Sequence, residues 1–308
     1  MAKGQSVDYA DYHKEVIRCE ELISENKISQ AREVLKTLFS EFDFVFLREY
    51  QVATELSVYD GDHDSAFELL RSGILHGWTI KQMKKSKNLR PLRKDARWDR
   101  LAADYDSLRD IYMSQLNLPL RKEAHKMLKK DQKIALRAFL KISEKKRIKF
   151  ALKKFKPYSE GVLIRLNKML NEYGYPGEKL IGNSWWTSVN LSHHNSFDRE
   201  YTLNDTLYLN LRPQLYRALE RGQLHPKEFA IIEDWRNAAI HQHQSSLFGF
   251  LGKIPDESTL MAVNQNREKL GVRSIELRNK LLDIEKETGL NLYIPKGWQK
   301  GKITVANK

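Results

Sequence analysis

The sequence contains a single cysteine, Cys19, in 308 residues. One cysteine excludes a disulfide framework and a zinc site built from cysteines, and it fits a reducing compartment. No apolar run approaches the ~20 residues that a membrane-spanning helix needs. The opening stretch MAKGQSVDYADYHKEV also lacks the apolar segment of a signal peptide. We therefore expect a soluble, cytoplasmic protein that does not bind membranes.

Several catalytic and nucleotide-binding motifs are also missing. The sequence has no G-x-x-x-x-G-K-[ST] phosphate loop, no G-x-G-x-x-G turn and no H-E-x-x-H zinc motif. It has no G-x-S-x-G turn either, which disfavours a serine hydrolase of that type. Cys19 falls on an apolar helix face and is expected in the core rather than as a nucleophile.

Charge is distributed unevenly along the chain, although the formal net charge is +13. Residues 1–80 hold 8 Lys and Arg against 15 Asp and Glu, whereas residues 81–156 hold 25 against 8. Such a basic stretch can attract phosphate groups or an acidic partner through long-range electrostatics. It is equally compatible with a solvated helix face or with docking onto the acidic first segment.

Apolar spacing over the first eighty residues predicts four helices in two pairs. The helices are expected over about 9–25, 28–42, 44–59 and 63–78. The DGD stretch at 60–62 separates the third from the fourth, because aspartates cap helices and glycine permits a positive φ. Two helix pairs over about seventy residues fit two repeats of about 34 residues.

The stretch GDHDSAFELLRSGILHGW resembles a tetratricopeptide helix pair, with Gly61, Ala66 and Leu70 at the recurring small and apolar positions. The following stretch is similar to a module that often closes such arrays, carried here by Leu89, Leu92, Trp98 and Leu101. The resemblance covers about residues 10–112. It implies a helical repeat domain over 1–116 that binds a peptide or supports a neighbouring domain.

Pro119 suits a helix start and marks a domain boundary. A lysine-rich helical tract follows and is expected to end at Pro157, so that 117–157 forms a basic connecting region at the start of a C-terminal domain. Its apolar face is too thin for membrane binding. The remaining residues, 158–308, are predicted to form a helical domain. The expected fold class is all-α, with at most a short hairpin in the C-terminal domain.

Residues 121–285 resemble an uncharacterised bacterial domain family that often follows tetratricopeptide repeats. The matching positions are Asp131-Gln132, Gly174-Tyr175-Pro176, Gly182, His194, Gly222, Pro226, Ala230, Asp234, Gln244, Phe248-Gly249, Arg267 and Gly271. The family carries no known function over to this chain. The sequence departs from it at Ala135, where an arginine is usual, at Trp235, which displaces an arginine to Arg236, and at Phe250.

The family positions that carry chemistry form a candidate site. His194 and Asp234 are the candidate catalytic residues, and the candidate ligand-binding residues are Asp131, Gln132, Arg236 and Gln244. Together they could bind a divalent metal, hold a phosphate or perform general acid–base chemistry. The sequence does not decide whether this site binds a metal or a cofactor.

Each of these residues also has a structural interpretation. His193 and His194 point about 100° apart on a helix and cannot both bind one metal. Asp234 could form an ion pair with Arg236 or Arg212, and His241 and His243 could be exposed.

Three functions are compatible with these patterns. The first is a non-enzymatic binding or scaffold protein, in which helical repeats engage a protein or peptide partner and the C-terminal domain adds a polar pocket. The second is a hydrolase, with or without a metal, that acts on a phosphate-bearing substrate through His194 and Asp234. The third is binding of nucleic acid or another anionic partner through 121–156. The sequence does not decide whether the protein is an enzyme, and it indicates no oligomeric state.

Overall fold

The structure is a computed structural model that describes residues 8–141, 143–182, 185–294 and 301–305. Helices account for 73% of these residues, and no strand occurs among them. The predicted all-α class is thereby confirmed. Within the described ranges, no helix has both the length and the apolar character required to cross a bilayer.

The chain divides into two compact units. The first unit combines Met1–Leu116 with Arg267–Ile303, and the second combines Asn117–Asn266 with Thr304–Lys308. The sequence predicted one C-terminal domain over 158–308, whereas the structure assigns Arg267–Ile303 to the first unit. The reason is packing: this segment carries apolar side chains that are buried against the first helices of the chain.

The first unit begins with helices that pack in consecutive pairs, the first with the second and the third with the fourth. The helices before the first division are α1 (Tyr9–Ser24), α2 (Ile28–Glu41), α3 (Leu47–Tyr59), α4 (His63–Leu75), α5 (Ile80–Lys85), α6 (Ala96–Ala103) and α7 (Tyr105–Ser114). Asp8 caps α1 by accepting from the backbone N–H of Ala10. Asp62 caps α4 through the N–H of Ser65.

Two apolar clusters account for much of this unit. One cluster contains Trp78 together with the residues on which the two resemblances depend: Ala66, Leu70, Leu89, Leu92, Trp98 and Leu101. Cys19 lies in the other cluster, with side chains from α1, α2 and α3. Leu277 and Leu281 of a late helix, α17 (Ile275–Thr288), complete that second cluster.

The second unit is built from the middle of the chain. Its helices are α8 (Leu118–Phe139), α9 (Glu144–Phe150), α10 (Lys156–Glu172), α11 (Glu178–Ile181), α12 (Trp186–His194), α13 (Arg199–Asn204), α14 (Thr206–Glu220) and α15 (Pro226–His241), and the division falls within α16 (Glu257–Leu270). Asn117 caps α8, and Pro119 lies in its first turn, as expected for a helix start. Helix α12 packs against α8, α10 and α15 and so occupies the middle of the unit.

The lysine-rich tract differs from its prediction. It does not end at Pro157, because a wide π turn, Ala151–Phe155, runs directly into α10. Pro157 lies in the first turn of α10, where a missing backbone N–H costs little. The basic region therefore consists of α8 on one side and of the π turn leading into α10 on the other. Lysines from both parts line a cleft between them.

Candidate functional site

Helix α12 directs its two histidines to different partners. His193 Nδ1 lies 2.5 Å from Oδ2 of Asp131, on α8. The Gln132 side-chain amide donates to the same oxygen over 3.2 Å. Asp131 is buried, at 2% exposure, whereas the His193 side chain is 29% exposed. The predicted pair Asp131 and Gln132 therefore meets His193 and not His194.

His194 is bonded at both ring nitrogens. Its Nδ1 lies 2.9 Å from Ser159 Oγ on α10, and its Nε2 lies 3.0 Å from Asp205 Oδ2. The other Asp205 oxygen caps α14 by accepting from the backbone N–H of Leu207. Burial raises the pKa of Asp205, but the bond and charge of His194 and the backbone bonds outweigh burial and hold the pKa below its ordinary value.

Ser159, His194 and Asp205 stand in the order of a hydrolase triad. Their exposures are only 2%, 1% and 5%, so none of the three faces a space that a substrate could enter. Asp205 also holds a helix end in place. The three residues connect α10, α12 and α14 by hydrogen bonds. This structural role is sufficient to account for their burial.

Asp234 is fully buried and organises a loop. Its carboxylate accepts from the backbone N–H groups of the loop that follows α15 and from one hydroxyl, donated by Leu247, Phe248, Phe250, Leu251 and Ser246. Burial raises the pKa of Asp234, and the four backbone bonds oppose that rise. None of the described ion pairs joins Asp234 to Arg236 or Arg212. Arg212 instead binds Glu233, with Nη2 2.7 Å from Oε2.

The two remaining candidates lie apart from these groups. Arg236 donates to the backbone oxygen of Thr202 over 2.6 Å and so joins α15 to α13. Gln244 is exposed, and its Oε1 accepts from Lys253 over 3.3 Å. His241 and His243 are exposed as well. The candidate residues thus belong to separate hydrogen-bonding groups, with no described bond linking one group to another.

Metal binding was one possibility for these side chains. Among the residues that the structure describes, no group of three or more His, Cys, Asp or Glu side chains is arranged to hold a metal ion. Sequence reasoning also missed Ser159 and Asp205. Only their distance from His194 in the folded chain identifies them, since 35 and 11 residues separate them from it.

A second candidate site lies in the first unit, where a non-helical segment follows α17. This arm, 289–294, has the sequence GLNLYI. Leu290, Leu292 and Ile294 are buried in the cluster formed by α1, α2 and α3, at 4%, 1% and 5% exposure. The alternate residues Asn291 and Tyr293 are only partly buried.

The backbone of the arm is held by side chains of distant residues. Arg48 on α3 donates to the carbonyl of Leu292 over 3.1 Å. Glu55, also on α3, accepts from the N–H of Asn291 over 3.4 Å. Asn88 donates both to the carbonyl of Gly289 and to Oε2 of Glu55. These three side chains form hydrogen bonds with peptide groups of the arm. The alternate apolar side chains of the arm pack in the core of the same unit.

The frame around the arm is charged and buried. Glu20 on α1 accepts from Arg48 and Arg273 over 2.6 and 2.5 Å, and Arg48 also lies 3.3 Å from Glu49. Burial lowers the pKa of Arg273 to about 10 despite the Glu20 charge, and burial raises the pKa of Glu55. Charged side chains at such depth are costly unless they are paired or bonded, and here they are paired with one another or bonded to the backbone of the arm.

A comparison of the chain with known proteins found no matching family model, no matching curated protein and no matching solved structure.

Proposed function

We propose that this protein is a non-enzymatic binding protein whose N-terminal helix pairs hold a non-helical polypeptide segment. One observation carries the proposal: side chains of α3 bond the backbone of the arm, 289–294, while its alternate apolar side chains fill the surface of α1 to α3. The arm occupies this surface in the same way that a partner segment would.

The polar residues of the second unit support a binding role over catalysis. His194 uses both ring nitrogens, and Asp234 uses both oxygens, in bonds that join helices or shape a loop. Catalytic acids and bases need access to a substrate proton within hydrogen-bond reach. Exposures of 1% for His194 and 0% for Asp234 leave no such access.

The chemistry of the surface defines the ligand. Two or three apolar side chains at alternate positions fill the cavities between helices, as Leu290, Leu292 and Ile294 do. Arg48 would donate to a backbone carbonyl of the ligand, and Glu55 would accept from one of its backbone N–H groups, as they do with the arm. Backbone bonds of this kind provide affinity, and alternate pockets provide specificity. The expected partner is therefore a non-helical leucine-rich segment with the pattern Leu-x-Leu-x-Ile.

A partner segment would have to displace the arm, which is covalently tethered to the surface that it occupies. A short tether gives the arm an effective concentration in the millimolar range, so a partner segment competes only if it binds more tightly or if the arm is weakened. Gly289 ends α17 with a φ of +76°, and we propose that the arm pivots at this residue.

The test is binding of a fluorescein-labelled peptide with the sequence of residues 286–294, KETGLNLYI, measured by anisotropy. In the variant Leu290→Ser/Leu292→Ser the arm loses its anchors, and we expect peptide binding at least about tenfold tighter than to the unmodified chain. Adding Glu55→Ala to that variant should weaken binding again, because the peptide loses a backbone acceptor. The control variant Lys286→Ser/Glu287→Ser changes two exposed neighbours and should bind no more peptide than the unmodified chain.

Two results would overturn the proposal. One is a folded Leu290→Ser/Leu292→Ser variant that does not bind the peptide, and the other is equal binding of a scrambled peptide. Hydrogen exchange on the unmodified chain covers the case in which the variant does not fold. The amides of Asn291 and Tyr293 should exchange faster than those inside α17, and exchange only on global unfolding would contradict a releasable arm.

A further inference from the structure

The lysine-rich tract of the second unit forms the walls of a cleft. One wall is the face of α8 that carries Lys126, Met127, Lys130, Ile134 and Arg137, at spacings that place them on one side of a helix. The opposite wall runs from Phe150 through the π turn to Arg165 on α10. The volume enclosed is about 750 Å³.

The lining of the cleft is strongly cationic. Among the side chains that the structure describes, six basic ones and no acidic one line the cleft: Lys126, Lys130, Arg137, Lys153, Lys154 and Arg165. In the part of the chain that the structure describes, only Arg165 among them has a carboxylate neighbour, Glu123, at 3.8 Å. Several cations brought together without counter-charges repel one another and attract an anion.

Aromatic and apolar groups form the inner surface between these cations. Tyr158 is fixed by its hydroxyl, which donates to the carbonyl of Met127 over 2.5 Å. Lys130 Nζ lies 4.9 Å from the centre of the Tyr158 ring. Phe150 and Tyr158 are both half-buried, so each ring leaves part of its surface open to the cleft. Gly161 adds no side chain, and a Cβ there would contact nothing within 4 Å.

We propose that this cleft binds a single nucleic-acid strand, with the cations contacting phosphates and the two rings contacting bases or sugars. Lys126 and Arg137 are eleven residues apart on α8, a span of roughly 16 Å. One phosphate cannot use a row of that length, whereas a strand carries a phosphate at every nucleotide and can contact several cations along the row. Positive grooves with aromatic side chains are the usual surface for unpaired strands.

The proposal is independent of the peptide surface of the first unit, because it rests on other residues. The direct test uses a fluorescein-labelled fifteen-nucleotide oligo-dT and measures anisotropy at low salt. In Lys130→Glu/Arg137→Glu/Lys153→Glu, whose three side chains are exposed, affinity should fall at least about thirtyfold. The matched control Lys84→Glu/Lys85→Glu/Lys87→Glu makes the same charge change at exposed residues of the first unit and should lose less than about threefold.

A second variant tests the cleft without changing charge. Gly161→Leu places a side chain in the open space of the cleft and favours the helix, so the fold is retained while binding is lost. The salt dependence gives an independent reading. Each phosphate contact contributes a slope of roughly −0.7 for a single strand, and the triple reversal should reduce the slope by about 2.

Other ligands are outcomes of the same experiment. Full competition by inorganic phosphate or ATP at low millimolar concentration, with no preference for longer strands, would overturn the strand and leave a small phosphate site. Binding to phosphatidylserine vesicles without binding to oligo-dT would overturn it as well. Equal losses in the Lys130 and Lys84 variants would show general charge attraction and would remove the cleft as the site.

Discussion

Burial of the Asp234 carboxylate requires compensation, since an isolated charge at 0% exposure would be costly. The compensation comes from four backbone N–H groups and one hydroxyl of residues 246–251. In return, the carboxylate fixes a loop that forms no helix or strand. The aspartate therefore acts as the structural centre of that loop.

Replacing Asp234 by asparagine should destabilise the second unit by about 2–4 kcal/mol, because the amide nitrogen cannot accept hydrogen bonds from backbone N–H groups. The measurement is urea unfolding followed by circular dichroism. Asp198→Asn is the matched control, since Asp198 is an exposed cap that accepts one bond, from the N–H of Tyr201, and asparagine caps equally well. A loss below about 1 kcal/mol at Asp234 would contradict the role assigned to it.

At the level of single residues, the sequence predicted the direction of some side chains but not the groups that they contact. The expected divergence of His193 and His194 follows from helix geometry alone, and it appears as bonds to Asp131 and to Asp205. Their partners come from other helices, which no local pattern identifies. The ion pair expected at Asp234 was wrong for the same reason, because the donors to its carboxylate come from a loop and both arginines bond other residues.

Helix α3 is more deeply buried than its sequence suggests. Its sequence LREYQVATELSVY mixes charged with apolar residues and resembles an ordinary half-exposed helix, yet nine of its residues are buried. Helix pairing with α4 covers one side, and the arm, 289–294, covers charged residues on another. The burial of Glu49 and Glu55, at 1% and 0% exposure, reflects the second neighbour of this helix, and the sequence alone does not show that burial.

Most helix positions were predictable, because caps and breaks are local. The start of α4 at His63 after the DGD stretch and the start of α8 beside Pro119 are examples. The start of α3 was expected near residue 44 but lies at Leu47, because Phe46 is extended and buried in an aromatic cluster. The continuation of α10 through Pro157 was missed, since it depends on the preceding π turn.

The end of α16 provides a test of how closely two helices approach. Gly271 has a φ of +75°, and a Cβ there would lie 2.8 Å from Cβ of His13. Gly61 has a φ of +76° but open space around it. Gly61→Ala should cost about 1–2 kcal/mol for the left-handed conformation, and Gly271→Ala should cost at least about 1 kcal/mol more because of the contact.

Urea unfolding of the two glycine variants, followed by tryptophan fluorescence, measures the difference. Equal losses at Gly61 and Gly271 would mean that α1 moves aside without cost. A larger loss at Gly271 would support a close and rigid contact between the start of α1 and the end of α16, as the 2.8 Å distance indicates.

At the scale of the whole molecule, the first unit is assembled from both ends of the chain. Nothing in composition or periodicity marks residues 267–303 as belonging to it, and the sequence therefore predicted a contiguous C-terminal domain. The apolar contribution of the returning segment is large. Five of its side chains are buried in one cluster: Leu277, Leu281, Leu290, Leu292 and Ile294.

Removing residues 267–308 should therefore unfold the first unit, whereas removing only 304–308 should not. Each buried Leu or Ile contributes about 1.5–3 kcal/mol, and five together approach the 5–15 kcal/mol that stabilises a typical protein. Hydrogen exchange of α1 and α3 amides measures the effect. Retained protection in the chain that ends at residue 266 would show that the helix pairs are stable without the returning segment.

The divided first unit also has a consequence for the order of events during synthesis. The helix pairs leave the ribosome early, before Arg273 can pair with Glu20 and before the leucines of the returning segment can pack on their apolar residues. About 150 residues of the second unit must be translated before the closing segment emerges, which takes roughly 8–30 s at ordinary elongation rates. During that interval the helix pairs lack the buried side chains that stabilise them, so their apolar residues are then most exposed to contact with other chains.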